Sequence, residues 1–123
     1  MTSPITLICA LSACITFSAY AAPVQCIAPA KPGGGMAVTC KLIQQGLQTH
    51  LTPADKNPEV KISYLPGGIG AVAWNSIVTQ RRAEADTLVA FSGGSLVNLA
   101  QGKYGRADVK DVRWVAAIGV DYG

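Results

Sequence analysis

The chain has 123 residues, which is enough for one small domain but too few for two lobes of ordinary size. Half of the residues are apolar and 14% are charged, a composition typical of a globular protein rather than a disordered one. The net charge is +3, and the basic residues are scattered, with Arg81-Arg82 as the one adjacent pair. This scatter indicates a solvated surface and disfavours binding to nucleic acid.

The first part of the chain has the pattern of an export signal. Residues 1–21 contain no charged side chain, and Ala19-Tyr20-Ala21 fits the small-x-small pattern of a signal-peptidase site. We therefore expect residues 1–21 to be removed and residues 22–123 to form an exported, periplasmic protein. Two alternatives stay open. Cys14 could be acylated as a lipoprotein cysteine, or the apolar stretch could stay as a membrane anchor, although it is short for that purpose.

Two of the four cysteines, Cys26 and Cys40, lie beyond the expected signal. In an oxidising compartment such a pair is a disulfide candidate, and we predict a bridge between them. Two buried free thiols are the alternative. The spacing of this pair, with no histidine nearby, makes a poor zinc site, so we predict no metal.

The rest of the sequence alternates short apolar runs with helical patterns. In chain order these predict a strand at 24–28, a helix at 36–51, a strand at 60–65, a helix at 69–77, a strand at 87–91, a short helix at 96–101 and a strand at 113–118. Strands that alternate with helices at this spacing predict an α/β fold, with a parallel sheet and flanking helices. Trp74 and Trp114 fall on a helix and a strand, and we expect both in the core.

Most of the 13 glycines fall in three loops, each of which follows a predicted strand and opens a helix. In an open parallel sheet these loops share one edge, which is where ligands bind. Free N–H groups at a helix N-terminus favour an anion, and glycine lets the ligand approach the main chain. We therefore predict an anion site, although glycines that merely close tight turns are the alternative. Further donors would come from Thr39, Ser92, Ser95 and Asn98.

A dinucleotide site is a second possibility. The segment from Gly68 to Ala73 fits G-x-G-x-x-A, follows a predicted strand and opens a helix. However, it follows the second strand rather than the first, and Pro66 precedes it. A dinucleotide site also needs an acidic residue at the end of the next strand, where this chain has Phe91-Ser92-Gly93. Asp86 lies at the beginning of that strand instead. These departures make the match weak.

Catalysis has little support in the sequence. The single histidine, His50, stands at the end of a predicted helix without an evident Asp or Cys partner, and Ser95 is not in a G-x-S-x-G elbow. The acidic residues fall in polar connections, which is typical of solvated charges. We therefore predict that the protein is not an enzyme, has no catalytic residues and needs no cofactor.

The three glycine motifs together resemble a known family. The segments 29–35 (PAKPGGG), 64–71 (YLPGGIGA) and 91–96 (FSGGSL) are similar to those of the extracytoplasmic receptors of tripartite tricarboxylate transporters, the Bug or TctC-like family. The resemblance extends from about Gln25 to Gly123. It implies a two-lobed periplasmic-binding-protein fold, of which this chain would form an incomplete N-terminal lobe.

The resemblance also implies a function. A receptor of this kind captures a small carboxylate, often a di- or tricarboxylate, and delivers it to the membrane permease subunits of the transporter. The positions that match the family's binding loops are Gly33, Gly34, Gly35, Gly67, Gly68, Ser92, Gly93 and Ser95.

Two features depart from the family pattern. The family places an aspartate where this chain has Ala37, so we expect Ala37→Asp to change ligand choice more than stability. Family members also carry a second lobe, and we therefore expect this chain to be a fragment or the product of a truncated gene.

Overall fold

The structure is a computed structural model, and it describes residues 23–50 and 59–120. The predicted α/β class is confirmed, because a three-stranded parallel sheet is flanked by helices. In chain order the elements are β1 (Val24–Ala28), α1 (Gly35–His50), β2 (Val60–Tyr64), α2 (Ala71–Gln80), β3 (Thr87–Val89) and α3 (Gly93–Ala100), with 3-10 turns at Gly68–Gly70 and Val109–Asp111. The predicted signal sequence and the acylation of Cys14 lie outside the described residues. Within the described ranges, no helix is long and apolar enough to cross a membrane.

The order of the strands is β2-β1-β3, so β1 pairs with both of its neighbours. Its last residue, Ala28, is the register partner of Tyr64 in β2, and Ile27 is the partner of Val89 in β3. All three strands therefore end at the same edge. Because β2 and β3 lie on opposite sides of β1, right-handed crossovers place α1 and α2 on opposite faces of the sheet.

One face of the sheet packs against α1. Cys26 and Ala28 of β1 and Ala37 and Cys40 of α1 are fully buried there. A disulfide joins Cys26 to Cys40, whose Cα atoms are 5.7 Å apart, a separation within the usual range for a bridge. This bond ties the central strand to α1, beneath the glycine loop that connects them.

The other face carries a chain of polar side chains that reaches all three strands. Gln25 of β1 donates to Ser63 Oγ of β2 and accepts from Arg81, with both distances 2.5 Å. The Arg81 guanidinium lies 2.8 Å from the Glu84 carboxylate, to which the Thr87 hydroxyl of β3 donates at 3.0 Å. Each of these polar groups therefore has a partner on the half-buried face.

An aromatic cluster packs α2 against the segment that follows β3. The ring centroids of Trp74 and Phe91 are 5.0 Å apart, and those of Phe91 and Tyr104 are 6.4 Å apart. Trp74 is buried, as predicted, and its indole N–H has no acceptor within residues 23–50 and 59–120. Burial of such large rings contributes much of the stability on this side of the sheet.

The predicted fourth strand at 113–118 is wrong, because residues 112–120 form no regular secondary structure. The β-branched and aromatic residues favour an extended chain, but a strand also needs a neighbouring backbone. Within the described part of the chain, no strand pairs with this segment. Trp114 is consequently 49% exposed rather than in the core, although it stacks on Trp74 with centroids 6.1 Å apart.

The disulfide generates a prediction about stability. Replacing both Cys26 and Cys40 by alanine is expected to lower the free energy of unfolding by about 3 kcal/mol, because the bridge closes a loop of about fifteen residues in the unfolded chain. Denaturant unfolding of residues 22–123, with and without reductant, measures this difference.

The variant without cysteines is its own control, since reductant should leave its unfolding midpoint unchanged. Thiol titration of the unreduced, unfolded wild-type chain from Ala22 onward should find no free thiol. Two free thiols per chain would contradict the bridge.

Candidate functional site

The three glycine loops begin at one edge of the sheet. They are residues 29–34 after β1, residues 65–70 after β2 and residues 90–92 after β3, and the glycines of the third motif, Gly93 and Gly94, are the first residues of α3. Backbone bonds anchor the second and third loops to the central strand: Leu65 N donates to Ala28 O at 2.9 Å, and Ala90 N donates to Ile27 O at 3.0 Å. The first loop, which follows β1, therefore starts between the other two.

The first loop is a tight turn that presents the N-terminus of α1. Gly33 has a φ of 90°, which favours glycine, and Gly34 N donates to Lys31 O at 3.1 Å. The first N–H groups of a helix have no intrahelical acceptor, so those of Gly35 and Met36 are available at this edge. Thr39 is less available, because its hydroxyl donates to Gly35 O at 3.2 Å.

The second loop runs through four consecutive residues with positive φ. Gly67, Gly68 and Gly70 have φ values of 135°, 55° and 95°, and Ile69, the one residue with a side chain, has a φ of 52°. A β-branched residue is rarely found in this left-handed region. The conformation is held from outside the loop, since Ile69 O accepts hydrogen bonds from both Ser95 Oγ and the Tyr104 hydroxyl.

The third loop caps α3 with Ser92. Its side chain accepts from Ser95 N at 3.1 Å, which leaves the N–H groups of Gly93 and Gly94 without an intrahelical acceptor. Both of these glycines are exposed. The hydroxyl of Ser92 also lies 3.0 Å from that of Ser95.

The predicted ligand-binding residues divide by exposure. Those that are open to solvent are Gly33, Gly35, Gly67, Gly68 and Gly93. Half-buried positions are Gly34, Thr39 and Ser92, whereas Ser95 is fully buried.

Ser95 was predicted as a ligand donor, but its burial gives it a structural role instead. Its hydroxyl donates to Ile69 O at 2.9 Å and links the second loop to the third. Sequence reasoning missed Tyr104, which forms the same link from the turn after α3. No spacing in the sequence relates Tyr104 to the glycine motif, because the two segments meet only in the folded chain.

The charge of the edge is simple. Among residues 29–35, 65–70 and 90–95 the single charged side chain is Lys31, which is exposed. Within residues 23–50 and 59–120, no group of three or more His, Cys, Asp and Glu side chains is arranged to hold a metal ion. His50 is exposed at the end of α1. The exposed Lys31 and the N-termini of α1 and α3 therefore make this edge favourable for an anion bound by main-chain donors.

The packing of Gly70 counts against a dinucleotide site. In that motif the second glycine allows the pyrophosphate to approach the backbone. Here the second glycine is Gly70, and a Cβ on it would lie 3.0 Å from Ser95 Oγ and 3.3 Å from the Tyr104 hydroxyl. The space beside Gly70 that a pyrophosphate would need is therefore occupied by the side chains of Ser95 and Tyr104.

A separate groove of about 410 Å³ lies beside the end of β2 and the second half of α2, and it is lined by Ile27, Ser63, Tyr64, Leu65, Ser76, Gln80, Arg81 and Glu84. Its two charged residues, Arg81 and Glu84, are paired with each other at 2.8 Å. This pairing leaves no net charge in the groove for a charged ligand.

No protein-family model matches the chain, and neither a curated protein nor a solved structure is detectably similar to it.

The buried glycine generates a prediction about stability. Gly70→Ala is expected to cost about 3 kcal/mol of unfolding free energy, because the residue has a left-handed φ and its Cβ would displace Ser95 and Tyr104. Gly102→Ala is the matched control, since Gly102 also has a positive φ, of 70°, but has open space around it. The control should cost only about 1 kcal/mol. Equal losses in chemical denaturation would show that packing at Gly70 does not matter.

The burial of Ala37 reverses the expectation that Ala37→Asp spares stability. Ala37 is fully buried in the apolar core, so an aspartate there would place a carboxylate between α1 and the sheet, away from solvent. We expect a loss of about 3 kcal/mol in unfolding free energy. Val38→Asp is the control, because Val38 is 49% exposed and a carboxylate near a helix N-terminus is favourable. Comparable thermal stability of the two variants would contradict the burial of position 37.

Proposed function

We propose that this protein binds a small carboxylate outside the cytoplasm and delivers it to the permease subunits of a tripartite tricarboxylate transporter. The activity is binding rather than catalysis. The observation that carries the proposal is the common edge of the sheet at which the three glycine loops begin.

The physical support comes from the donors at that edge. α1 and α3 begin with N–H groups that have no intrahelical acceptor, and the partial positive charge of each helix N-terminus favours an anion. Gly35 and Gly93 have open space around them, so a ligand oxygen could approach their backbone. The half-buried hydroxyl of Ser92 and the ammonium of Lys31 are further groups that a carboxylate could contact.

Support for export comes from two features. Residues 1–21 have the pattern of a cleavable signal, and the disulfide between Cys26 and Cys40 is typical of a protein in an oxidising compartment. The motif resemblance extends the proposal to the partners. It implies that the described unit is part of the first lobe of a two-lobed receptor, whose cleft closes over the ligand.

The proposal is tested by removing one N–H donor without changing the helix. Gly93 is the first residue of α3, where proline is well tolerated, and Ser92 before it is extended, with a φ of −94° and a ψ of 160°. Gly93→Pro should therefore keep the fold. We expect it to weaken carboxylate binding at least about tenfold, because a hydrogen bond to a charged group contributes about 1.5–3 kcal/mol.

Isothermal titration of acetate, succinate, citrate and hexanoate at up to millimolar concentration measures this loss. Gly93→Ala is the matched comparison, because it also adds a Cβ at this position but keeps the N–H. The proline variant should bind about tenfold more weakly than the alanine variant, and this difference measures the contribution of the N–H. Absence of carboxylate binding, or binding of NADH instead, would refute the proposed function.

A further inference from the structure

Ile69 has an unusual position for an apolar residue. Its side chain is 68% exposed, and its φ of 52° lies in the left-handed region, where a β-branched residue is unfavourable. Its neighbours on both sides, Gly68 and Gly70, are glycines. A glycine at position 69 would adopt the same backbone without strain. The isoleucine side chain is therefore stabilised little by burial within the described chain, and its backbone conformation is unfavourable for a β-branched residue.

Two hydroxyls fix the direction of this residue. Ser95 Oγ and the Tyr104 hydroxyl both donate to Ile69 O, and both side chains are buried, at 0% and 5% exposure. The next residue, Gly70, lies beside the same two hydroxyls, since a Cβ on it would be 3.0 Å from Ser95 Oγ and 3.3 Å from the Tyr104 hydroxyl. The Ile69 side chain is thus held at the ligand edge of the sheet, away from the core.

Other apolar side chains are exposed at the same edge. The first turn of each helix contributes one: Val38 in α1 is 49% exposed, Val72 in α2 is 47% exposed and Leu96 in α3 is 42% exposed. Each of these residues lies within four positions of the end of the loop that precedes its helix. We call Val38, Ile69, Val72 and Leu96 the apolar rim.

The charge at this edge limits the ligand. Lys31 is the one charged side chain in the three loops, and helix N-termini add only partial charge, roughly half a unit each. This inventory suits a ligand with few charges. The compact, hydroxylated body of citrate would leave its polar groups against apolar side chains, which is unfavourable.

We propose that Ile69 is a specificity-determining residue, whose side chain contacts the hydrocarbon part of the ligand. The ligand class is then a carboxylate with an alkyl body, bound by its carboxylate at the loops and by its chain at the apolar rim. This inference rests on the proposed function, since it assumes that a carboxylate binds at this edge.

The test uses the exported chain, residues 22–123, and compares Ile69→Gly with the wild type. The variant keeps the backbone and removes the side chain, so its melting temperature should be unchanged or higher. The wild type should bind hexanoate more tightly than acetate or citrate. In Ile69→Gly the affinity for hexanoate should fall about tenfold, whereas that for acetate should not change. Val115→Ala is the control, because Val115 is 74% exposed outside the rim, and it should leave all three affinities unchanged.

The outcomes separate this inference from the proposed function. If hexanoate, acetate and citrate bind and Ile69→Gly leaves the ratio of the hexanoate and acetate affinities unchanged, Ile69 does not determine specificity, although the carboxylate site stands. Tightest binding of citrate by the wild type would likewise overturn the inference alone. If none of the three binds to either protein, the carboxylate site itself is wrong, and the role of Ile69 falls with it.

Discussion

The parallel pairing of β1 with strands on both sides is the constraint on which the rest of the structure depends. A parallel neighbour cannot be reached by a hairpin, so each connection must cross over the sheet with a helix. One crossover covers the face with Cys26, and the other covers the face with Ile27. Because all strands run in one direction, every connection from strand to helix starts at the same edge. The candidate site is therefore a consequence of the topology before any side chain is considered.

The backbone at that edge is both exposed and held. Gly35 and Gly93 present N–H groups with no intrahelical acceptor, whereas the loop between β2 and α2 is fixed by hydroxyls from outside it. A site built in this way spends little conformational entropy when a ligand arrives, because the donors are already ordered. The left-handed backbone of Ile69 lowers the stability of the folded chain, and the hydrogen bonds that Ser95 and Tyr104 donate to Ile69 O offset this loss.

The sequence predicted the features that arise from local pattern. The β1 range, the α/β class and the order of strands and helices follow from hydrophobic periodicity and from glycines that end each strand. Features that depend on distant contacts were missed. The extended residues around Trp114 have strand composition, but only the fold shows that no described strand lies beside them. Ser95 reads as a free hydroxyl in the sequence, and only the approach of Ile69 O turns it into a link between loops. Ala37 was expected at the ligand only because the resembled family has an aspartate at that position, yet the packing of α1 on the sheet buries it.

The two faces of β1 also protect the sheet against mispairing. Cys26 must face α1 to reach Cys40, and Gln25 must face the opposite way to meet Ser63 and Arg81. A slip of the strand by one residue would exchange these directions. It would turn an amide into the apolar layer and move a sulfur away from its covalent partner. The alternative register is thus excluded twice, once by an unsatisfied polar group and once by a bond that could not close. A strand with only apolar residues on both faces would not distinguish the observed register from the shifted one.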